Sequence, residues 1–203
     1  MTDAVDFVYL ASQSPRRSQL LTQLGVRHVL LLADASEDAE ALEAVRPGEA
    51  PAAYVKRVTQ LKLQAAVRRL QTRCLAPAPV VCSDTTVALG RVIFGKPADE
   101  QDACRMLADL SGQTHRVLTA VAVQASGRTH SACSVSRVSF EAMDAAQIKA
   151  YAATGEPMGK AGAYAVQGRA AAHISQISGS YSGIMGLPLW ETAGLLRAAG
   201  LTL

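Results

Sequence analysis

The chain has 203 residues, of which 49% are hydrophobic and 18% charged, and a formal net charge of +3. That describes a folded globular chain with material for one core, or for two small lobes about a cleft. So small a charge, mixed along the chain with only 4% aromatic residues, excludes a nucleic-acid or membrane-surface partner as the working expectation.

Cys74, Cys82, Cys104 and Cys133 form no CxxC pair, so reduced thiols are expected rather than a zinc site or disulfide framework. The first residues lack the basic start and long apolar run of a signal peptide. No stretch approaches the roughly 20 apolar residues of a membrane helix. The expectation is a cytoplasmic protein with no membrane and no nucleic-acid partner.

In chain order, Val5 to Ala11 predicts a buried first strand. Ser14 then reads as the N-cap of a helix with Pro15 in its first turn; Leu20, Leu21 and Leu24 form its buried stripe, and Gly25 closes it. Val29 to Leu32 predicts a second strand, and an acidic, alanine-rich loop follows up to Pro51. Tyr54, Val58, Leu61 and Ala65 recur at helical spacing, which predicts a helix from Pro51 to Arg73.

Val80 to Cys82 reads as a strand ending at Ser83-Asp84. Thr86 to Leu89 and Val92 to Phe94 form a hairpin about Gly90-Arg91. Ala103, Met106, Leu107 and Leu110 mark a helix closed by Gly112. Val117 to Val123 and Ala132 to Phe140 are strands about an Ala-Ser-Gly-Arg turn. Asp144 caps a helix reaching Thr154, a glycine-rich region follows, and Pro188 to Ala199 forms a last helix on which Trp190 reads as a packing residue. The fold class is α/β: a mixed, curved sheet flanked by helices, bilobed with a central cleft, in one domain over residues 1–203.

Several segments carry chemistry. In Ser12-Gln13-Ser14-Pro15-Arg16-Arg17, two arginines stand in a helix first turn, where the dipole prefers acids. A bound anion would resolve that conflict, and two solvated arginines are the alternative. Asp84, leaving an apolar strand, either orients water or a metal, or caps a turn. Gly90 to Pro97 nearly matches a phosphate-binding GxxxxGK[ST] loop, but Pro97 stands where Ser or Thr would hold magnesium, so that reading fails and Lys96 is left as a phosphate-contacting or surface cation. The acidic loop holds Asp34, Glu37, Asp38 and Glu40, a composition that suits a hard divalent cation or simple solvation. The glycines between Gly155 and Gly183 suit backbone passing close to a ligand, or tight turns, and Gln167 among them has both donor and acceptor for a base edge. His28, His115, His130 and His173 show no metal-ligand spacing.

Taken in order, LASQSPRRSQLL, SDTTVAL, FGKP, LSGQTHRVLTAVAV, the region from TGEP to KAGAYAVQG, and GSYSGIMGLPL resemble the Maf family of nucleoside triphosphate pyrophosphatases. The resemblance covers nearly the whole chain and implies a mixed α/β fold with a deep cleft, often found as a homodimer, acting on a nucleoside triphosphate. Within the family the sequence is similar to the dTTP/UTP branch, where Arg17, Thr85 and Gln167 match positions that choose the base. The resemblance further implies Asp84 as the general base, and Arg16, Lys62 and Lys96 with the loop residues Ser12 and Ser14 as phosphate-binding groups. Glu37 and Asp38 would join Asp84 in holding a divalent metal cation, Mg²⁺ or Mn²⁺. Two other readings stand beside this one: a nucleotide-binding regulator of cell division without catalysis, and a pyrophosphatase preferring 7-methyl-GTP.

Overall fold

The computed structural model describes residues 7–34, 37 and 41–203. A seven-stranded mixed sheet runs through it. The strands are β1 (Phe7–Leu10), β2 (Arg27–Leu30), β3 (Val80–Leu89), β4 (Val92–Phe94), β5 (Thr114–Ala125), β6 (Arg128–Phe140) and β7 (Ile174–Ser178). Their order is β2-β1-β3-β5-β6-β7, with β4 also on β3. β2, β1 and β3 are parallel, whereas β3, β5, β6 and β7 are successively antiparallel, so the sheet is mixed.

Six helices flank it: α1 (Pro15–Gln23), α2 (Pro51–Thr72), α3 (Glu100–Leu110), α4 (Ala145–Ala152), α5 (Tyr181–Met185) and α6 (Leu189–Ala198). The central strands are buried on both faces, which is why they read as continuous apolar runs instead of alternating. Val8, Leu10 and Val81 point to one face, where Leu20, Leu21, Leu187 and Leu196 cover them. Tyr9, Val80 and Cys82 point to the other, against Leu63 and Ala66 of α2. Each fully buried leucine here contributes about 2–3 kcal/mol relative to exposure. A separate cluster joins α3 and α4 to the far ends of the long strands through Leu107, Val138, Phe140 and Ile148.

Local signals behaved as their chemistry requires. Pro15 and Pro51 sit in the first turns of α1 and α2. Asp144 and Gln147 form a reciprocal capping box on α4. Gly90 turns β3 into β4 with a φ of 59°.

The structure also corrects the sequence reading. The second strand is Arg27–Leu30, two residues earlier than expected. β3 does not stop at Ser83-Asp84 but continues to Leu89, because β5 pairs with it from Val80 to Ala88 and β4 from Val87 to Leu89. The glycine-rich region contains β7 and the short α5, neither of which was expected. Trp190 is no packing residue, being 86% exposed. The inward stripe of α6 is Leu189, Thr192, Ala193 and Leu196, which leaves position 190 facing outward.

Candidate active site

Two strands flank the same side of β3, and they do not meet. β1 pairs with it only up to Val81, and its pairing with β4 begins only at Val87. Between them, β3 has β5 on one side and, among the described residues, no strand on the other. That gap opens into a cleft of about 710 Å³, the size of a small-molecule site, lined by Ser83 to Val87, the loop from Ala11 to Arg17, and the wall from Gly159 to Gln167. Interior polar residues in a central strand are explained by this interruption.

Strand alternation then sorts the chemistry onto two faces. Asp84 points to α2, where Lys62 Nζ donates to its Oδ1 at 2.6 Å. The same ammonium donates to Glu43 Oε1 at 2.6 Å, which keeps those two carboxylate oxygens within about 5 Å of each other. Lys96 Nζ donates to Glu43 Oε2 at 2.9 Å. Burial opposes the charge on Lys62, but Asp84 and Glu43 overcome it and hold the ammonium above its usual value. Burial likewise works against Glu43, and Lys62 and Lys96 prevail to hold its carboxyl below the ordinary range.

Glu43 was missed in the sequence. Its position comes from tethers to α2: Tyr54 Oη donates to the Glu43 carbonyl at 2.9 Å, and Arg57 donates to the Ala44 carbonyl at 2.8 Å and to Glu49 at 2.7 Å. Together they fasten the turn Ala41–Glu43 against the helix that carries Lys62. Glu37, by contrast, lies on the cleft rim with both oxygens bonded to Arg69 at 2.7 Å. Those hydrogen bonds lower its carboxyl to about 2. Asp38 lies outside the described residues.

On the opposite face, Thr85 meets Thr119 of β5 at 2.9 Å. Arg17 Nε donates to the Gly186 carbonyl at 2.8 Å, and its Nη1 donates to Ser12 Oγ at 3.2 Å. A methyl at Gly186, whose φ is +117°, would lie 3.3 Å from Arg17 Nε and 3.7 Å from Thr85 Oγ1. The arginine and threonine therefore both border the space beside that glycine. Ser14 caps α1 without a side-chain bond, and no acid occupies the first turn. Arg16 and Lys160 line the cleft nearby, and both are held below their usual pKa, first by burial and next by a neighbouring cation, Arg17 for the former and Arg16 for the latter. Cations crowded around a helix N-terminus are favourable where an anion is shared among them. Gln167 is on the exposed part of the wall, facing the same cleft.

The structure thus brings Ser12, Ser14, Arg16, Arg17, Lys62, Asp84, Thr85, Lys96 and Gln167 into one cleft, and adds Glu43 and Lys160 to them. Lys160 was legible only as part of a glycine-rich run.

Cations beside two converging carboxylates define the class: a cleft suited to a polyanion. The family model described as Maf-like protein matches residues 7–199, and the chain belongs to that family. It is 70% identical over 195 residues to the dTTP/UTP pyrophosphatase of Albidiferax ferrireducens, covering 96% of this chain and 98% of that one. It is 63% identical over 196 residues to the dTTP/UTP pyrophosphatase of Cupriavidus pinatubonensis, covering 97% and 98%. Among solved structures, the Staphylococcus aureus Ham1 protein aligns with a TM-score of 0.41 at 12% identity, covering 66% of this chain and 71% of that one.

Proposed function

We propose that this chain hydrolyses dTTP and UTP to the monophosphate and pyrophosphate, clearing these or modified pyrimidine triphosphates from the nucleotide pool. The observation that carries the mechanism is the Asp84–Lys62–Glu43 bridge facing a cleft crowded with cations. A triphosphate carries about four negative charges near neutral pH, so catalysis of its hydrolysis is chiefly positioning and charge stabilisation. Arg16, Lys62, Lys96 and Lys160 supply the positive charge, and Ser12, Ser14 and the first turn of α1 supply hydrogen-bond donors.

Asp84 Oδ1 is taken by Lys62, and its Oδ2 has no hydrogen bond among the described residues. That oxygen orients a water and accepts its proton as the water attacks the α-phosphorus. The bond from the α-phosphorus to the bridging oxygen breaks, and pyrophosphate leaves toward the lysines. Arg17, Thr85 and Gln167 hold the pyrimidine on the opposite face of the strand.

Asp84 and Glu43 also fit a divalent cation, Mg²⁺ or Mn²⁺, because these oxygen donors already converge on one positive group, Lys62. No group of three or more acid, histidine or cysteine side chains suited to a metal occurs among the described residues, so such an ion would take its other ligands from water and phosphate. When bound, it would neutralise charge on the phosphate oxygens. A cytoplasmic location, expected from the sequence, and a homodimeric state, which the resemblance implies, belong to the same proposal. No helix among the described residues is long and apolar enough to cross a membrane.

Asp84→Asn tests the mechanism, since it keeps the size and removes the charge. Pyrophosphate release should fall at least about a thousandfold while nucleotide binding persists. Full turnover with unchanged metal dependence would rule Asp84 out as the base.

A further inference from the structure

Thr119 does not line the cleft, yet it is bonded to Thr85, which does. It is 1% exposed and lies directly across the β3–β5 ladder from Thr85. Its Oγ1 is 2.7 Å from the Gly183 carbonyl oxygen, and that oxygen has no proton, so Thr119 must be the donor. A hydroxyl has one proton. The 2.9 Å contact between the Thr85 and Thr119 hydroxyls therefore has to use the proton of Thr85.

The direction of this chain is fixed at its far end. Gly183 opens no alternative, because its carbonyl belongs to the turn of α5, where it also accepts from Gly186 N at 3.0 Å. Its own N–H is held by Ser180 Oγ at 3.0 Å. Thr85 consequently has only lone pairs to offer a ligand.

We propose that Thr119 is a specificity-positioning residue: by committing the Thr85 proton inward, it makes Thr85 an acceptor that selects a ring N–H beside a carbonyl. This rests on the pyrimidine triphosphate reading above. Uracil and thymine present such an N–H at N3. Cytosine presents a bare N3 lone pair, which would meet the lone pairs of Thr85 and be repelled. Arg17, beside Gly186, completes the pattern. Its Nε and Nη1 are engaged by Gly186 and Ser12, and its Nη2 has no partner among the described residues and can donate to the adjoining carbonyl. A buried site that reads a hydrogen-bond pattern rejects the mismatched partner strongly, because its own groups are then left unpaired.

The test compares kcat/KM for UTP and CTP in the wild type, Thr119→Val and Thr119→Ser, with folding checked by circular dichroism. In Thr119→Val the Thr85 proton is released and can turn outward to cytosine N3. The UTP-to-CTP preference should fall at least about tenfold, partly through a gain on CTP, whereas Thr119→Ser should keep it within about twofold. Equal losses on both nucleotides in the valine variant, with the preference unchanged, would make Thr119 scaffold only and overturn the inference. Should that variant fail to fold, the wild type supplies the decision: N3-methyl-UTP, which lacks the N–H, should fall at least about a hundredfold below UTP. Equal turnover of the two would overturn the inference. A wild type that releases no pyrophosphate from UTP at all would instead remove the parent reading, and the inference with it.

Discussion

His115 gives the fold a stability that depends on pH. Its ring is 1% exposed and packs edge-on against Phe140 and Tyr164, with centroids at 5.2 Å and 5.4 Å. Nε2 is 2.8 Å from Tyr164 Oη, while Nδ1 is buried without a partner among the described residues. An unpartnered lone pair costs less there than an unpartnered N–H, so the neutral ring carries its proton on Nε2 and donates it to the tyrosine. Protonation would add an N–H at Nδ1 with nothing to accept it, in an apolar cluster. Burial accordingly lowers the imidazole from 6.5 to about 4.

A group with a depressed folded pKa binds its proton more readily when the chain is unfolded. Its contribution is therefore intact above the unfolded value of 6.5 and is lost as the pH falls toward 4. The expected loss is about 2 kcal/mol by pH 5 and about 3 kcal/mol by pH 4. Urea unfolding of the wild type and His115→Gln across pH 7.5 to 4 measures it, because carboxylates that titrate in the same range are common to both proteins. The variant is offset by its lost packing, but its curve should be flatter by those amounts. Parallel curves between pH 6.5 and 4 would refute the reasoning.

Two further predictions follow from the same geometry. Glu43→Gln leaves Lys62 and Lys96 without their shared carboxylate and should lower kcat/KM by roughly a hundredfold, whereas Glu37→Gln, already turned to Arg69, should cost less than about threefold; pyrophosphate assays on both would expose the error if the order were reversed. Gly186→Ala places a methyl 3.3 Å from Arg17 Nε at a φ of +117°, so it should destabilise the fold by about 1–3 kcal/mol and weaken pyrimidine preference. Wild-type thermal stability together with wild-type selectivity in that variant would contradict both effects.

The sequence disclosed the parts of this molecule whose signals are local. Pro15, Pro51, Gly90 and Asp144 each stand where a start, turn or cap requires them, and the structure uses each so. What it concealed depends on partners distant in the chain. Ser83 to Thr86 look like a strand ending because they are polar, but β5 extends the ladder past them and the cleft accounts for the polarity. β7 shows little apolar alternation because its residues are largely exposed. Glu43 lies in an acidic stretch without periodicity, where Glu37 and Asp38 form the denser cluster. Tethers from Tyr54, Arg57, Lys62 and Lys96 distinguish it, and these exist only once the chain has packed. Thr119 was one residue within the LSGQTHRVLTAVAV segment, and no linear pattern says which way its hydroxyl proton points.

The central claim is tested most directly by a product-resolved turnover panel. Purified protein with Mg²⁺ or Mn²⁺ is given each common nucleoside triphosphate and 7-methyl-GTP, and the products are separated. The predicted result is monophosphate plus pyrophosphate, released chiefly from dTTP and UTP. Diphosphate plus phosphate, or binding of every triphosphate with turnover of none, would contradict it.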